Sequence, residues 1–502
     1  MIPLHAFPRL TADEAAAMIP DGALVGFSGF THAGDAKVVP CALAARARAL
    51  HAQGGRFQIR MLTGASGGKN LDDVLAEADA VSWRAPFQSS KPMRDRINRQ
   101  ETQFVDMHLS HVPQTLAFGF FGKMDYAVVE ATEITPDGRV FLSTSIGAAP
   151  TFLQCAEKVI IELNRFHSPR LREMHDVVAL PPPPNRGPIP LYDPSMKIGW
   201  PYAGVDPRKV VAVVHNDQPD DVAPFDPPTA AHTRIAGHVV DFLLREMAAG
   251  RIPKSFLPCQ SGVGNVANAV LAGLGAHPEI PPFTMFSEVF QDACVNLMER
   301  GRIVAASTTA LTLSPALLRH VFDEMDFFAP RIVLRPQEIT NHPGVIRRLG
   351  VLSMNTALEV DIYGHVNSTH VAGTQMMNGI GGSGDFTRNA YVSIFMCPSI
   401  AKGGRISSIV PMATHVDQNE HSVQVVVTEQ GLADLRGLGA MERAHAIIEN
   451  CAHPAYRDYL RAYVANAPMG HIRHDLSRCF ELHRNLQETG AMLPAFDPAL
   501  FA

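Results

Sequence analysis

Cysteine is scarce and unpatterned in this 502-residue chain. Cys41, Cys155, Cys259, Cys294, Cys397, Cys451 and Cys479 are odd in number and scattered, and no C-x-x-C spacing occurs. A disulfide framework and a structural zinc site are thereby disfavoured, and a reducing compartment fits. Charge of one sign is also lacking: 43 Lys and Arg stand against 49 Asp and Glu, a net −6. A nucleic-acid binder would carry a basic excess. A disordered chain would carry less than the 46% hydrophobic content seen here. No apolar run reaches the roughly 18 residues of a membrane span. Met1–Arg9 lacks the charged-then-apolar order of a signal peptide, and Asp13 and Glu14 argue against a transit peptide. The expected setting is the cytoplasm, with neither nucleic acid nor membrane as partner.

What is present is a long α/β alternation. Thr11 to Glu14 has the pattern of a capping box. Ala23–Phe27 is a short apolar run, Val38–His51 has helical spacing, and Phe57–Leu62 is the next strand. Strand, helix, strand at this spacing calls for a parallel sheet. Further strands are expected at Tyr126–Glu130, Lys158–Leu163 and Lys209–His215. Pro181–Pro190 holds six prolines and carries no functional reading. The acidic, Pro-rich Asn216–Pro228 is the better boundary, dividing the chain into domains 1–222 and 223–502. Beyond it, helices are expected at Thr233–Ala249, Asn265–Leu274 and Asp292–Arg300. Strands are expected at Ser255–Cys259, Phe283–Phe286 and Ile303–Ala306. A faint echo links Glu133–Val140, ending in Ser143 and Thr144, with Glu359–Val366, ending in Ser368 and Thr369. Both read as strand, Gly turn, strand. A duplicated α/β build would place a ligand in the cleft between its halves.

Several stretches have the residues for chemistry. Gly379, Gly381 and Gly384 formally match a dinucleotide fingerprint, but the segment leads into an expected strand at Tyr391–Met396 rather than a helix. An oxyanion cradle or a pantetheine contact fits better, with a plain multi-Gly turn as the alternative. Gly262–Val266 stands between a strand and a helix, where helix amides hold anions and where tight βα packing also uses glycine. Glu288 falls just after an apolar strand, the place of ligands in parallel sheets. It can be a nucleophile toward an acyl carbon or an acid complementing a helix dipole. Glu429 has a similar strand-end place, with the dipole role as default. Lys402, in a Gly turn, suits a phosphate or simply solvent. Gly64–Gly68 formally matches G-x-S-x-G after a strand, but a nucleophile elbow also needs a downstream acid and histidine that the sequence does not place, and a flexible Gly-rich βα loop is the preferred reading. The pairs His108/His111 and His471/His474 lack an H-E-x-x-H context, and no metal site is expected.

Taken together, these segments resemble the acetyl-CoA hydrolase/transferase family of class I CoA-transferases, most of all the succinyl-CoA:acetate CoA-transferases. The resemblance runs from Gly26–Phe30 to Asp434–Gly437 and Cys451–Tyr456. It is sharpest at Gly262–Asn268, Ser287–Asp292, Asn341–Gly344, Asn378–Phe386 and Val425–Gly431. It implies two similar, open, mostly parallel α/β domains with the active site between them, and a catalytic glutamate at Glu288. Val266 and Gly382 are implied as oxyanion backbone. Gly262, Val263, Gly264, Asn265, Val266, Asn378, Gly382 and Lys402 are implied as coenzyme A contacts, with Asn341 and Glu429 in the active site. The implied activity is ping-pong exchange of coenzyme A between a short-chain acyl-CoA, succinyl or acetyl, and a free carboxylate such as acetate. No tightly bound cofactor is implied, since coenzyme A is a substrate. An acyl-CoA hydrolase using the same glutamate is the rival, followed by an inert acyl-CoA-binding module. A homodimer follows only from the commonness of two-fold assemblies.

Overall fold

A computed structural model of the chain describes residues 7–184, 186–223 and 227–501. Residues 1–6, part of the leader-peptide reading, lie outside the described residues, as do 224–226 within the Asn216–Pro228 segment. Two parallel sheets organise the molecule. The first uses β1 (Leu24–Phe27), β2 (Ile59–Leu62), β3 (Val81–Ala85), β4 (Gln103–Phe104), β5 (Tyr126–Ile134), β6 (Lys158–Asn164) and β7 (Val210–Asn216). The second uses β8 (Cys259–Ser261), β9 (Phe283–Phe286), β10 (Ile303–Thr308), β11 (Ile332–Leu334), β12 (Leu352–Thr356), β13 (Val392–Met396) and β14 (Val425–Thr428). The order is 4-3-2-1-5-6-7 in the first and 11-10-9-8-12-13-14 in the second. The two orders are the same, and every one of these pairings is parallel.

The echo read in the sequence is part of this duplication. β5 turns back into Arg139–Leu142, pairing Ile134 with Val140. Glu359–Asp361, just after the equivalent β12, turns back into Val366–Asn367, pairing Val360 with Val366. Gly138 and Gly364 take φ of 85° and 98° at these turns, where a side chain would be strained. The hydroxyl that follows is used alike: Thr144 donates to Asp220 and Thr369 to Asp417.

Val159–Ile161 of β6 and Val425–Val427 of β14 are unbroken apolar runs, buried on both faces as in parallel sheets. One core cluster runs from Leu62, Val129 and Ile161 across to Met354, Ile394 and Val425, so the two halves share buried surface. A second fills the outer face of the first sheet around Val39, Leu43 and Leu75.

Two local expectations change. The strand expected at Ser255–Cys259 forms only at Cys259–Ser261, because Phe256 takes a left-handed φ of 64° and its N–H donates to Pro253 in a turn. The glycine-rich stretch is not a loop between extended segments: a one-turn helix, Ser383–Thr387, starts beside its third glycine. The dinucleotide pattern fails on its other side. The strand before it is the two-residue Gln375–Met376, paired antiparallel outside the main sheets.

Candidate active site

Loops at the carboxyl ends of the strands of both sheets meet around a cleft of about 520 Å³. The first sheet contributes Phe30, Thr31 and His32 after β1, Ser66 after β2, and Phe87 and Ser89 after β3. The second contributes Val263 after β8, Glu288 and Val289 after β9, and Thr312 after β10. Asn378, Gly381 and Gly382 close it. The lining is mostly apolar, and Glu288 is its one carboxylate among the described residues.

Glu288 sits at a bend between β9 and the short strand Val289–Gln291. Its carbonyl accepts from the Thr309 amide at 2.9 Å, the Ala310 amide at 3.2 Å and the Thr308 hydroxyl at 2.8 Å. Pairing of Val289–Gln291 with Ala310–Thr312 holds that bend. The backbone is therefore fixed, and the side chain is aimed by one further bond: fully buried Asn341 donates Nδ2 to Glu288 Oε1 at 2.7 Å. The same amide reaches Asp385 Oδ2 at 3.3 Å, and Asn341 Oδ1 accepts from Thr340. Asp385 is in turn held by the amide and hydroxyl of Ser110, from the other half, at 3.0 and 2.6 Å.

The carboxylate opens on the cleft yet is packed closely by protein. Desolvation pushes its pKa up to about 7; the Asn341 bond opposes the rise and nearby Asp385 adds to it. Asp385 is itself pushed up to about 6 by burial. A carboxylate so desolvated gives up less hydration when it attacks. Gly382 lies against it: a Cβ there would overlap the Glu288 carboxyl and the Asn341 amide. Its φ of −92° is ordinary, so close approach, not backbone conformation, is what requires glycine.

The other expected residues divide. Asn378 lines the cleft with a buried Oδ1 that has no partner among the described residues. Of Gly262–Val266 only Val263 lines it. Gly262 and Gly264 form the turn behind, and Asn265 and buried Val266 begin the helix Asn265–Ala276. Glu429 and Lys402 are not among its lining residues. Glu429 accepts from the Ser399 amide at 2.7 Å, the Ser399 hydroxyl and Gln430, and although desolvation resists it, these bonds hold its pKa below the usual value. It thus braces the segment leading to Lys402, which is exposed in a turn with φ of 50°.

Sequence reading missed His32, Ser110 and Asp106. Asp106 accepts from the Ile380 amide at 2.9 Å, clamping the glycine loop from the first half. Nothing local marks these residues: Asp106 and Ser110 bond groups of the second half, and His32 reaches the cleft only through the fold. Glu130, His167 and Asp220 converge tightly enough to suggest a metal site. A cation is already there: Lys37 Nζ lies 2.6 Å from Glu130 and 3.0 Å from Asp220. Burial opposes charge on His167, but Asp220 and Glu130 override it and hold the ring up to about 9. Ser66, of the G-x-S-x-G pattern, lines the cleft with a buried hydroxyl that has no partner among the described residues.

Residues 5–215 match the family model of the acetyl-CoA hydrolase/transferase N-terminal domain, and residues 318–464 match that of the C-terminal domain. A propanoyl-CoA:succinate CoA transferase of Escherichia coli K12 is 57% identical, over 97% of this chain and 99% of its own. An acetyl-CoA hydrolase of Schizosaccharomyces pombe is 42% identical, over 97% and 96%. The crystal structure of RipA from Yersinia pestis superposes with a TM-score of 0.70 at 23% identity, covering 91% of this chain and 97% of that one, a likeness of fold.

Proposed function

The chain belongs to the acetyl-CoA hydrolase/transferase family and is an enzyme of the CoA-transferase family, and from that premise we propose that it exchanges coenzyme A between a short-chain acyl-CoA, succinyl or acetyl, and a free carboxylate such as acetate, through a thioester on Glu288. The observation that carries this reading is the Glu288 carboxylate, fixed by Asn341 and backed by Gly382, on the wall of an apolar cleft. Its oxygen attacks the acyl carbon of the donor thioester, expelling CoA thiolate and leaving a mixed anhydride. The thiolate attacks the glutamyl carbonyl, forming the enzyme–CoA thioester and releasing the donor acid. The acceptor carboxylate then reverses both steps. Covalent capture divides one hard exchange into easier ones.

Each tetrahedral intermediate carries an oxyanion. The amides of Val266 and Gly382 are the proposed donors, each worth about 10²–10³ in rate. Gly262–Val266, Asn378, Gly382 and Lys402 are the proposed coenzyme A contacts. Glu429 is proposed to act through Ser399 on the turn that carries Lys402. The domains are taken as 1–222 and 223–502.

Glu288→Ala is expected to abolish exchange. Borohydride added after acyl-CoA should reduce the thioester to an alcohol at position 288, located by peptide mass. An active Glu288→Ala protein, or reduction at another residue only, would overturn the assignment. Coenzyme A release that ignores added carboxylate would favour hydrolysis, as the yeast relative's name suggests for that protein.

A further inference from the structure

The cleft is lined by Phe30, Phe87, Leu109, Val222, Val263 and Val289, a surface suited to the carbon chain of an acyl group. A diacid such as succinate brings a second carboxylate into this surface. Without a counter-charge, that group would lose its hydration for nothing. Among the described lining residues there is no lysine or arginine, and one side chain can carry positive charge: His32.

The backbone around His32 is unusual. Thr31 and His32 are consecutive non-glycine residues at φ of 51° and 66°. Left-handed conformations are costly for side chains, most of all for β-branched threonine, and such strain collects at ligand sites. The loop is held in place from several sides. The His32 amide donates to the Ser66 carbonyl, Phe30 and Ala33 pair with each other, and Ser145 Oγ donates to the Ala33 carbonyl at 2.8 Å. The imidazole Nε2 lies 3.3 Å from Ser89 Oγ. Nδ1 has no hydrogen-bond partner among the described residues. Ser66, whose carbonyl accepts from the His32 amide, lines the same cleft and has a buried hydroxyl with no partner among the described residues.

We propose that His32 is a specificity-determining residue: its imidazole, oriented by Ser89, receives the far carboxylate of a dicarboxylic acyl group or acceptor, while Glu288 handles the reacting end. The proposal rests on the transfer reading above and adds the residue that distinguishes a dicarboxylic from a monocarboxylic substrate. No bond is made or broken at His32.

The experiment compares kcat/KM for succinate and for its monomethyl ester, which has the same reacting end and an uncharged far end, with acetyl-CoA as donor. Wild type should prefer succinate at least about tenfold, the ordinary effect of one charge-assisted contact. His32→Asn and His32→Asp keep a residue that tolerates left-handed backbone while making the charge neutral and negative. The preference should collapse in the first and reverse in the second. A wild-type enzyme with no preference, or a ratio that the two variants leave unchanged, overturns the role of His32. If wild type transfers coenzyme A to neither acid, the transfer reading itself fails.

Discussion

At the scale of single residues, the chemistry depends on a carboxylate that is costly to ionise. Glu288 is pushed up to about 7, first by desolvation. The protonated acid is a poor nucleophile, so kcat/KM for exchange should rise with pH through about 7 and level above it. Asp385→Asn removes a like charge and should move that rise to lower pH by about half a pH unit, read from the pH–rate profile. The same shift has a sign for stability. The folded state keeps a proton that the unfolded state releases near 4.5, so Glu288 lowers stability as pH rises from about 4.5 to 7. Glu288→Gln should therefore be the more stable protein at pH 8, by about 1–3 kcal/mol. That gain should vanish near pH 4.5, followed as the difference in Tm against pH. Gly382→Ala acts by contact: the new methyl displaces the Glu288 carboxyl. Exchange is expected to fall about 10²-fold or more, with circular dichroism unchanged.

At the scale of elements, the site is an assembly of loops fastened to one another across the two halves. The glycine loop is held from the first half by Asp106 on the Ile380 amide and by Ser110 on Asp385. Arg94 adds a bond to the Met377 carbonyl at 2.6 Å. Asp106→Ala should loosen this loop without touching Glu288. The expected result is faster hydrogen exchange in peptides covering 377–384 and a several-fold loss of kcat. Unchanged exchange in those peptides would show that the clamp is unimportant. The sequence made this loop legible as a glycine-rich run but not as a one-turn helix. Five residues carry too little periodicity to declare a helix, and the contacts that stabilise this one come from residues some 275 positions away.

At the scale of the whole molecule, two copies of one topology share a core and a buried ion pair. Arg335, wholly buried on the second half, pairs with Asp176 of the first and also reaches the Met196 carbonyl. Removing one partner leaves an uncompensated charge, so Asp176→Ala should cost about 3–5 kcal/mol, measured by chemical denaturation. The double variant Asp176→Leu with Arg335→Met should recover much of it. The duplication is asymmetric in chemistry. Glu288 follows β9 by two residues, and the equivalent place after β2 is Gly64. One half therefore supplies the reacting carboxylate and the other supplies facing wall.

The first two strands of the chain and the helix between them, the hairpin echo and the position of Glu288 after an apolar strand were determined by local pattern, whereas strands such as Val81–Ala85, Ile332–Leu334 and Leu352–Thr356 were not read from it. Apolar runs, glycine turns and caps act over a few residues and are written where they act. Which groups meet Glu288 was decided only by tertiary structure. Asn341 bonds Glu288, Asp385 bonds Asn341 and Ser110 bonds Asp385 from the other half, and no spacing along the chain encodes that relay. Glu429 and Lys402 show the same division. Their local settings resemble a strand-end acid and an anion-binding turn, and only packing shows that Glu429 is seated on Ser399 while Lys402 stands exposed in its turn. Chain direction sets which end of a strand faces a ligand, while the meeting of two sheets sets which loops share one.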